Sequence, residues 1–126
     1  MILGTGIDIV EIARIAKVLE RRDSFINRVF TENEQALASL NRDSAPFYAG
    51  RWAAKEAIAK ALGVGIGEHC TWQDLDIGRG TRGEPLLTLS GIAAATAEAL
   101  GVARIHISIS HEQNYACATA IAESAT

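Results

Sequence analysis

Two segments in the last third of the chain alternate strictly between two kinds of residue. In ARIHISIS every second residue is isoleucine, at Ile105, Ile107 and Ile109. In YACATAIA every second residue is alanine, at Ala116, Ala118, Ala120 and Ala122. Because alternate residues of a strand point to opposite faces, each segment is typical of a strand with one buried face. Only HEQN separates the two segments, which predicts an antiparallel hairpin. The small alanine side chains leave room for a helix to pack closely on that face.

The stretch NRDSAPFYAGRWAAKEAIAKALGVG gives the strongest helix signal in the chain. Asp43 or Ser44 suits the N-cap, and Pro46 suits the first turn. Alanine, lysine and glutamate fill the body, and Gly63 and Gly65 end the helix.

Weaker patterns predict the remaining elements. Thr31 and Glu34 form a capping-box pattern for a helix over about 32–40. The other predicted elements are a strand over 2–9, an amphipathic helix over about 10–22, short strands around 72–79 and 85–89, and a helix from Ser90 to about 100. Helices mixed with antiparallel strands predict an α+β domain, with an antiparallel sheet packed against the long helix.

Size and charge restrict the class of protein. At 126 residues the chain is expected to form one domain, spanning 1–126. The net charge of −3 does not suggest a nucleic-acid partner. Cys70 and Cys117 lie in no metal-ligand spacing, and neither a signal peptide nor a membrane-spanning apolar run is visible. We therefore expect a cytoplasmic protein without a membrane partner.

Asp8 is unusual, because it lies in the middle of the strand-like run GIDIV. Strands are depleted in aspartate, and a buried carboxylate is costly without a partner. One interpretation is that Asp8 caps the helix that follows, with Glu11 completing a capping box. The other is that Asp8 binds Mg²⁺ with a second carboxylate and holds a phosphate-bearing substrate.

Glu56 is the candidate for that second carboxylate. Trp52, Glu56 and Lys60 recur every four residues, so they share one face of the long helix. Glu56 and Lys60 would form an ordinary surface ion pair in the simplest interpretation. In the alternative, the nearby cations Arg51 and Lys55, together with the glycine-rich end GVGIG, form a cradle for a polyphosphate and its metal.

Further candidates lie outside that helix. His111 stands at the hairpin turn, where it is either solvated or in reach of a ligand. Basic residues follow one stripe of the first helix and continue beyond it. This stripe is either a solvated face or a docking surface for an acidic partner. Its residues are Arg14, Lys17 and Arg21, with Arg22 and Arg28 nearby.

Several motifs together resemble the holo-[acyl-carrier-protein] synthase family of bacterial phosphopantetheinyl transferases. GTGIDIVEI is similar to the family's opening motif, and FINRVFTENE to the segment after its first helix. RWAAKEAIAKALG is similar to its signature helix, (W/F)-x-x-K-E-x-x-x-K-A. GEPLLTLSG and ISISHEQNYACATAIAE resemble its two C-terminal blocks. The resemblance extends nearly from end to end and is least diagnostic over 66–80.

The resemblance implies a reaction and a set of site residues. A serine hydroxyl of the acyl carrier protein would attack the phosphorus of coenzyme A that bears pantetheine, in fatty-acid biosynthesis. Asp8 and Glu56 would hold Mg²⁺ against the pyrophosphate, and Lys60 would stabilise or protonate the departing 3′,5′-ADP. The proton acceptor is left open between a water on the metal and a carboxylate. The positions implied to contact coenzyme A are Arg51, Lys55, Lys60, Gly65, Pro85 and His111.

The resemblance also implies how the protein assembles. Arg14, Lys17 and Arg21 would meet the acidic carrier protein, and three chains would form a homotrimer that shares its sites between subunits. Two rival functions remain at this point. A metal-dependent nuclease would add Asp74 or Asp76 to the metal site, and a coenzyme A-binding module would bind without turnover.

Overall fold

The computed structural model describes residues 1–21 and 23–126. It confirms an α+β architecture, in which antiparallel strands alternate with helices. The elements in chain order are β1 (Ile2–Glu11), α1 (Ile12–Arg21), α2 (Asp23–Val29), α3 (Glu32–Ala38), α4 (Ala45–Ala61), a 3₁₀ turn (Trp72–Asp74), β2 (Leu75–Arg79), β3 (Pro85–Leu89), α5 (Gly91–Leu100), β4 (Val102–His111) and β5 (Tyr115–Ser124).

The predicted C-terminal hairpin is confirmed as β4 and β5. Both strands join β1 in a three-stranded antiparallel sheet with the order β1-β5-β4. His111 pairs with Ala116, so His111 closes β4 and the connecting loop is 112–114 rather than the whole of HEQN. Glu112 fixes this loop because its Oε1 accepts bonds from the backbone N–H groups of Asn114 and Tyr115, at 2.7 and 2.6 Å.

The inner face of the sheet packs on α4, as the alternating alanines predict. Ala116, Ala118, Ala120 and Ala122 are all at most 1% exposed. The approach of β1 is closer still: a Cβ atom built on Gly6 would lie 1.9 Å from the carbonyl oxygen of Ala57. Only glycine fits there, because any side chain would push β1 away from the helix.

Helix α4 is buried on most of its surface, including Ala49, Ala53, Ala57 and Ile58. This is what a helix in the middle of a domain requires. Ser44 occupies its N-cap without a side-chain bond, whereas Asp43 accepts a bond from the N–H of Ala45 at 3.2 Å.

Three local predictions differ from the structure. Pairing with β5 extends β1 to Glu11, so Asp8 lies inside the strand opposite Ala118 and does not cap a helix. The segment SFINRVF, for which no element was predicted, lies largely in α2. A 3₁₀ turn over Trp72–Asp74 delays the start of β2.

Strands β2 and β3 form a separate two-stranded sheet. Leu75 and Ile77 anchor this hairpin in the core, and both are fully buried. In the parts of the chain that the structure describes, no helix is long and apolar enough to cross a membrane.

Candidate active site

Asp8 reaches the edge of α4 from the strand whose glycines allow the close approach. Its Oδ1 pairs with Lys60 Nζ at 3.2 Å, and the same ammonium group donates to the carbonyl of Ile7 at 2.8 Å. The Asp8 side chain is 15% exposed, and its Oδ2 is buried with no hydrogen-bond partner. A buried carboxylate oxygen without a donor is costly, so this atom is suited to a cation.

Glu56 lies half-buried beside Asp8 on the face of α4 that also carries Lys60. Burial raises the pKa of Glu56, the negative charge of Asp8 raises it further, and Lys60 partly opposes both effects. Among the described residues Lys60 pairs with Asp8 rather than with Glu56. The simple surface ion pair between Glu56 and Lys60 is therefore not what the structure contains.

These residues, Asp8, Glu56 and Lys60, are called the metal pair with its lysine below. Two adjacent carboxylates, one with an unpartnered oxygen, fit the all-oxygen coordination that Mg²⁺ prefers with few protein ligands. No cluster of three or more metal-ligating side chains occurs among the described residues. Substrate phosphates and water would have to complete the coordination. Gly65, beyond the end of α4, has φ +70°, and its N–H donates to Ala59 O at 3.3 Å.

Arg51 lies on a different side of α4 and is held by strand β2. Its Nε donates to Ile77 O at 3.2 Å and its Nη2 to Gly78 O at 3.1 Å. The guanidinium also lies 4.5 Å from the ring centroid of Phe47. Burial lowers the pKa of Arg51, and the neighbouring charge of Arg79 lowers it further. An anion in this place would relieve the repulsion between the two arginines.

Arg51, Pro85 and His111, predicted separately from three motifs, line one cleft of about 380 Å³. The cleft lies between the N-terminal half of α4, the end of β4 and the β2–β3 hairpin. Arg79 lines it as well, 5.8 Å above the same Phe47 ring, and sequence reasoning missed it. Arg79 belongs to 66–80, and no local pattern indicated that the hairpin would fold over α4. Two guanidinium groups and an imidazole make this cleft suitable for a phosphate.

The residues that line this arginine cleft do not include Asp8 or Glu56. Helix geometry explains the separation. Arg51 and Glu56 are five residues apart on α4, which places them about 140° apart around the axis. The structure therefore brings the predicted residues together in two groups on one chain rather than in one.

Lys55 belongs to neither group, which corrects its prediction as a phosphate-facing residue. Its side chain is fully buried, and its ammonium pairs with the equally buried Glu34 at 2.7 Å. It also donates to Val29 O at 2.6 Å and to Trp72 O at 3.0 Å. Burial lowers the pKa of Lys55, and Glu34 partly offsets this. All three donors of the ammonium group are occupied inside the protein, so none remains for a ligand.

The basic stripe is an exposed face of α1, with Arg14, Lys17 and Arg21 in solvent. Arg21 and Arg28 border a shallow groove whose apolar floor is Val18 and Phe25. Arg22, predicted nearby, lies outside the described residues. This surface combines positive charge with apolar contact area, which is a suitable combination for binding an acidic helix.

The aspartates that a two-metal nuclease would need are occupied elsewhere. Asp76 accepts bonds from Thr31 Oγ1 and from Asn33 Nδ2. Asp74 accepts bonds from the N–H groups of Thr71 and Ala93, at 3.2 and 3.1 Å. Both carboxylates therefore hold loops and helix starts together, and the nuclease alternative has no support in this geometry.

Comparison with known proteins identifies the class to which this fold and site belong. The sequence profile of the 4′-phosphopantetheinyl transferase superfamily matches residues 4–120. The chain is 44% identical to the holo-[acyl-carrier-protein] synthase of Koribacter versatilis, over 98% of this chain and 99% of that protein. The chain belongs to the 4′-phosphopantetheinyl transferase superfamily, and its curated relatives are enzymes named holo-[acyl-carrier-protein] synthase.

Solved structures show the same likeness. The holo-(acyl-carrier-protein) synthase of Bacillus anthracis, in complex with CoA (3′,5′-ADP), is 38% identical and superposes with a TM-score of 0.84 over 99% of both chains. The holo-[acyl-carrier-protein] synthase of Neisseria meningitidis is 31% identical, with a TM-score of 0.91 over 98% of this chain and 100% of that one. The resemblance inferred from the motifs is confirmed.

Proposed function

We propose that this protein transfers the 4′-phosphopantetheine group of coenzyme A to a serine of apo acyl carrier protein in fatty-acid biosynthesis. The serine Oγ forms a new bond to the phosphorus that bears pantetheine, and the bond from that phosphorus to the leaving phosphate oxygen breaks. The products are holo carrier protein and 3′,5′-ADP, and one proton leaves the serine. The observation that carries the proposal is the buried, unpartnered Oδ2 of Asp8 beside Glu56.

Asp8 and Glu56 would hold Mg²⁺ at the pyrophosphate of coenzyme A. When bound, the cation would offset the negative charge on the phosphoryl oxygens during attack. The two carboxylates orient the reacting phosphate, because each is carried by a rigid element and their approach is fixed by the contact of Gly6 with α4.

Lys60 would act on the leaving group. Its ammonium lies between Ile7 O and Asp8 Oδ1, and its side chain is about half exposed. It can therefore turn a donor toward the phosphate oxygens that gain charge as 3′,5′-ADP departs. Gly65, in the loop after α4, has no side chain to obstruct the substrate next to this lysine.

The arginine cleft would bind the nucleotide end of coenzyme A. Arg51 is held in place by two backbone carbonyls, so little conformational freedom is lost when it meets a phosphate. Arg79 adds a second charge, and His111 and Pro85 form the adjacent wall. Lys55, enclosed with Glu34, would not take part in binding.

The acidic carrier protein would dock on α1 through Arg14, Lys17 and Arg21. Helix α1 follows β1 directly, so this face adjoins the strand that carries Asp8. A carrier protein bound there would present its serine to the metal pair rather than to the arginine cleft.

A homotrimer would bring the two groups of site residues together. The outer face of the three-stranded sheet exposes Ile7 and Ile9, at 65% and 66%, and Tyr115 at 46%. An uncovered row of large apolar side chains on a sheet is a typical subunit interface. In such an assembly the metal pair of one chain would face the arginine cleft of a neighbour. Which chain supplies Arg51 and which supplies His111 is left open.

Two general expectations belong to the same proposal. The chain would act as a single domain over 1–126, and it would work in the cytoplasm. The two cysteines that the structure describes are both free, in keeping with a reducing compartment.

Mass spectrometry of apo carrier protein after incubation with coenzyme A and Mg²⁺ tests the function. The expected result is a gain of one phosphopantetheine group that is lost in the Asp8→Ala and Glu56→Ala variants. A coenzyme A-binding module would bind coenzyme A and leave the carrier protein unmodified. Failure of a folded preparation to modify any carrier protein would overturn the proposal.

A further inference from the structure

The buried ion pair between Glu34 and Lys55 has no part in the reaction described above. Both side chains are fully buried, and the pair is 2.7 Å long. Replacing such a pair by apolar residues is often neutral or stabilising, so stability alone does not account for it. Its position in the fold suggests another role.

The two walls of the arginine cleft come from parts of the protein that share no backbone ladder. Phe47, Gly50 and Arg51 belong to α4, whereas Arg79 and Pro85 belong to the β2–β3 hairpin. That hairpin is a sheet of its own, apart from the three-stranded sheet. Apolar packing of the hairpin is not directional, so hydrogen bonds must set where its residues lie along α4.

Glu34 supplies that link. Its Oε1 accepts from Lys55 of α4, and its Oε2 accepts the N–H of Ile77 in β2 at 2.7 Å. The carbonyl of the same Ile77 residue accepts from Arg51 Nε at 3.2 Å. A continuous chain of polar contacts therefore runs from Lys55 through Glu34 and Ile77 to Arg51. It begins and ends on α4 and passes through the opposite wall of the cleft.

The start of α3 strengthens this connection. Thr31 N donates to Glu34 Oε1 at 2.9 Å, which closes the capping box. Thr31 and Asn33 both donate to the carboxylate of Asp76, the residue before Ile77 in β2. The first turn of α3 thus holds two successive residues of β2, and Lys55 fixes this turn on α4.

We propose that Glu34 and Lys55 are positioning residues for the coenzyme A cleft. The pair sets the register between α4 and the β2–β3 hairpin, and so places Arg51 and Arg79 to bind the nucleotide end of coenzyme A. It acts on affinity for coenzyme A rather than on phosphoryl transfer at the metal pair. The inference rests on the proposed function, because coenzyme A is the ligand that it concerns.

The test compares two double variants that both remove the buried charges. Glu34→Leu with Lys55→Met deletes the link to Ile77, whereas Glu34→Gln with Lys55→Met keeps a side-chain oxygen that can accept the Ile77 N–H. Neither leaves an unpaired buried charge, so both are expected to fold. Glu34→Asp is a third variant, whose shorter side chain cannot reach Lys55 and Ile77 together. Glu32→Gln, an exposed change on the same helix, is the matched control.

Calorimetric binding of 3′,5′-ADP and steady-state kinetics are the measurements, with thermal unfolding to show that each variant is folded. Loss of the link should weaken 3′,5′-ADP binding and raise KM for coenzyme A by about tenfold, the effect of one charge-assisted hydrogen bond. The kcat at saturating coenzyme A and the KM for carrier protein should stay near the wild-type values. The Gln/Met variant should recover most of the affinity, and Glu34→Asp should lie between.

Each outcome decides between the ideas. Wild-type affinity in a folded Leu/Met or Glu34→Asp variant would overturn the positioning role and leave the proposed function intact. Equal losses in the Leu/Met and Gln/Met variants would also overturn it, because the link to Ile77 would then not matter. No binding of 3′,5′-ADP by the wild-type protein would overturn the proposed function, and the positioning role with it.

Discussion

The two ends of helix α4 carry two different kinds of site. Near its C-terminal end, Glu56 and Lys60 meet Asp8 of a strand that touches the helix backbone to backbone. Near its N-terminal end, Arg51 meets a hairpin that is held through side chains and carbonyl groups. The first site is rigid because no atom can be added between its elements. The second depends on hydrogen bonds, which makes its geometry adjustable.

This difference suggests a division of work along the helix. Phosphoryl transfer requires carboxylates that do not move, since a small misplacement of the reacting phosphate lowers the rate strongly. Binding of the nucleotide tolerates a more adjustable cleft. Changes at the C-terminal end should therefore lower kcat, whereas changes at the N-terminal end should raise KM for coenzyme A.

The largest effect is expected for Asp8→Asn. The substitution preserves shape but removes a charged metal ligand, so we expect kcat to fall by at least about a hundredfold. Unfolding by denaturant should be nearly unchanged, because the native carboxylate is itself poorly partnered. Glu11→Gln, an exposed change on the same strand, is the control and should keep full activity. Similar losses in both variants would argue against a special role for Asp8.

A second prediction tests the rigidity of the metal end. Gly6→Ala places a methyl group 1.9 Å from Ala57 O in the native geometry. Relief requires β1 to move, so we expect a loss of about 1–3 kcal/mol in unfolding free energy together with reduced kcat. Gly67→Ala is the matched control, since its added Cβ would meet nothing within 4 Å. Equal stability of the two variants in chemical denaturation would contradict the close contact.

These two positions also show how far the sequence alone could predict the molecule. Strand periodicity correctly placed Gly6 and Asp8 on the face opposite Ile7 and Ile9, because alternation is a local property. The helix cap assigned to Asp8 was wrong, because pairing with β5 extends the strand to Glu11. That pairing involves residues more than a hundred positions away and leaves no mark in the local motif.

The same limit applies to the cleft. Helical spacing put Lys55 beside Glu56, but spacing does not tell which helix faces the rest of the chain will cover. Because α4 is buried nearly all round, Lys55 required an internal partner, and Glu34 supplies it. The capping-box pattern found Glu34 correctly, although it did not reveal this second role. Arg79 was missed because its place depends on how the hairpin docks.

A third prediction concerns the cleft end. Arg79→Gln removes one of two guanidinium groups above Phe47, so we expect KM for coenzyme A to rise by about tenfold, as for loss of a charged hydrogen bond. The KM for carrier protein and the kcat should change little. Arg82→Gln, at the tip of the same hairpin and outside the cleft, is the control in the same steady-state assay. A fall in kcat without a change in KM would place Arg79 in the reaction rather than in binding.

The smallest effect is expected at the basic face of α1. Arg14→Glu with Arg21→Glu reverses two exposed charges, each worth roughly 1 kcal/mol or less, so KM for carrier protein should rise by about tenfold. The KM for coenzyme A should stay near the wild-type value, because α1 lies beside the strand of the metal pair and not beside the arginine cleft. Added salt should reduce the difference between variant and wild type, since screening weakens exposed charges. Charge reversal at Arg82 supplies the control. Equal increases in both KM values would refute the docking assignment, because a surface that steers only the carrier protein cannot weaken coenzyme A at the other end of α4.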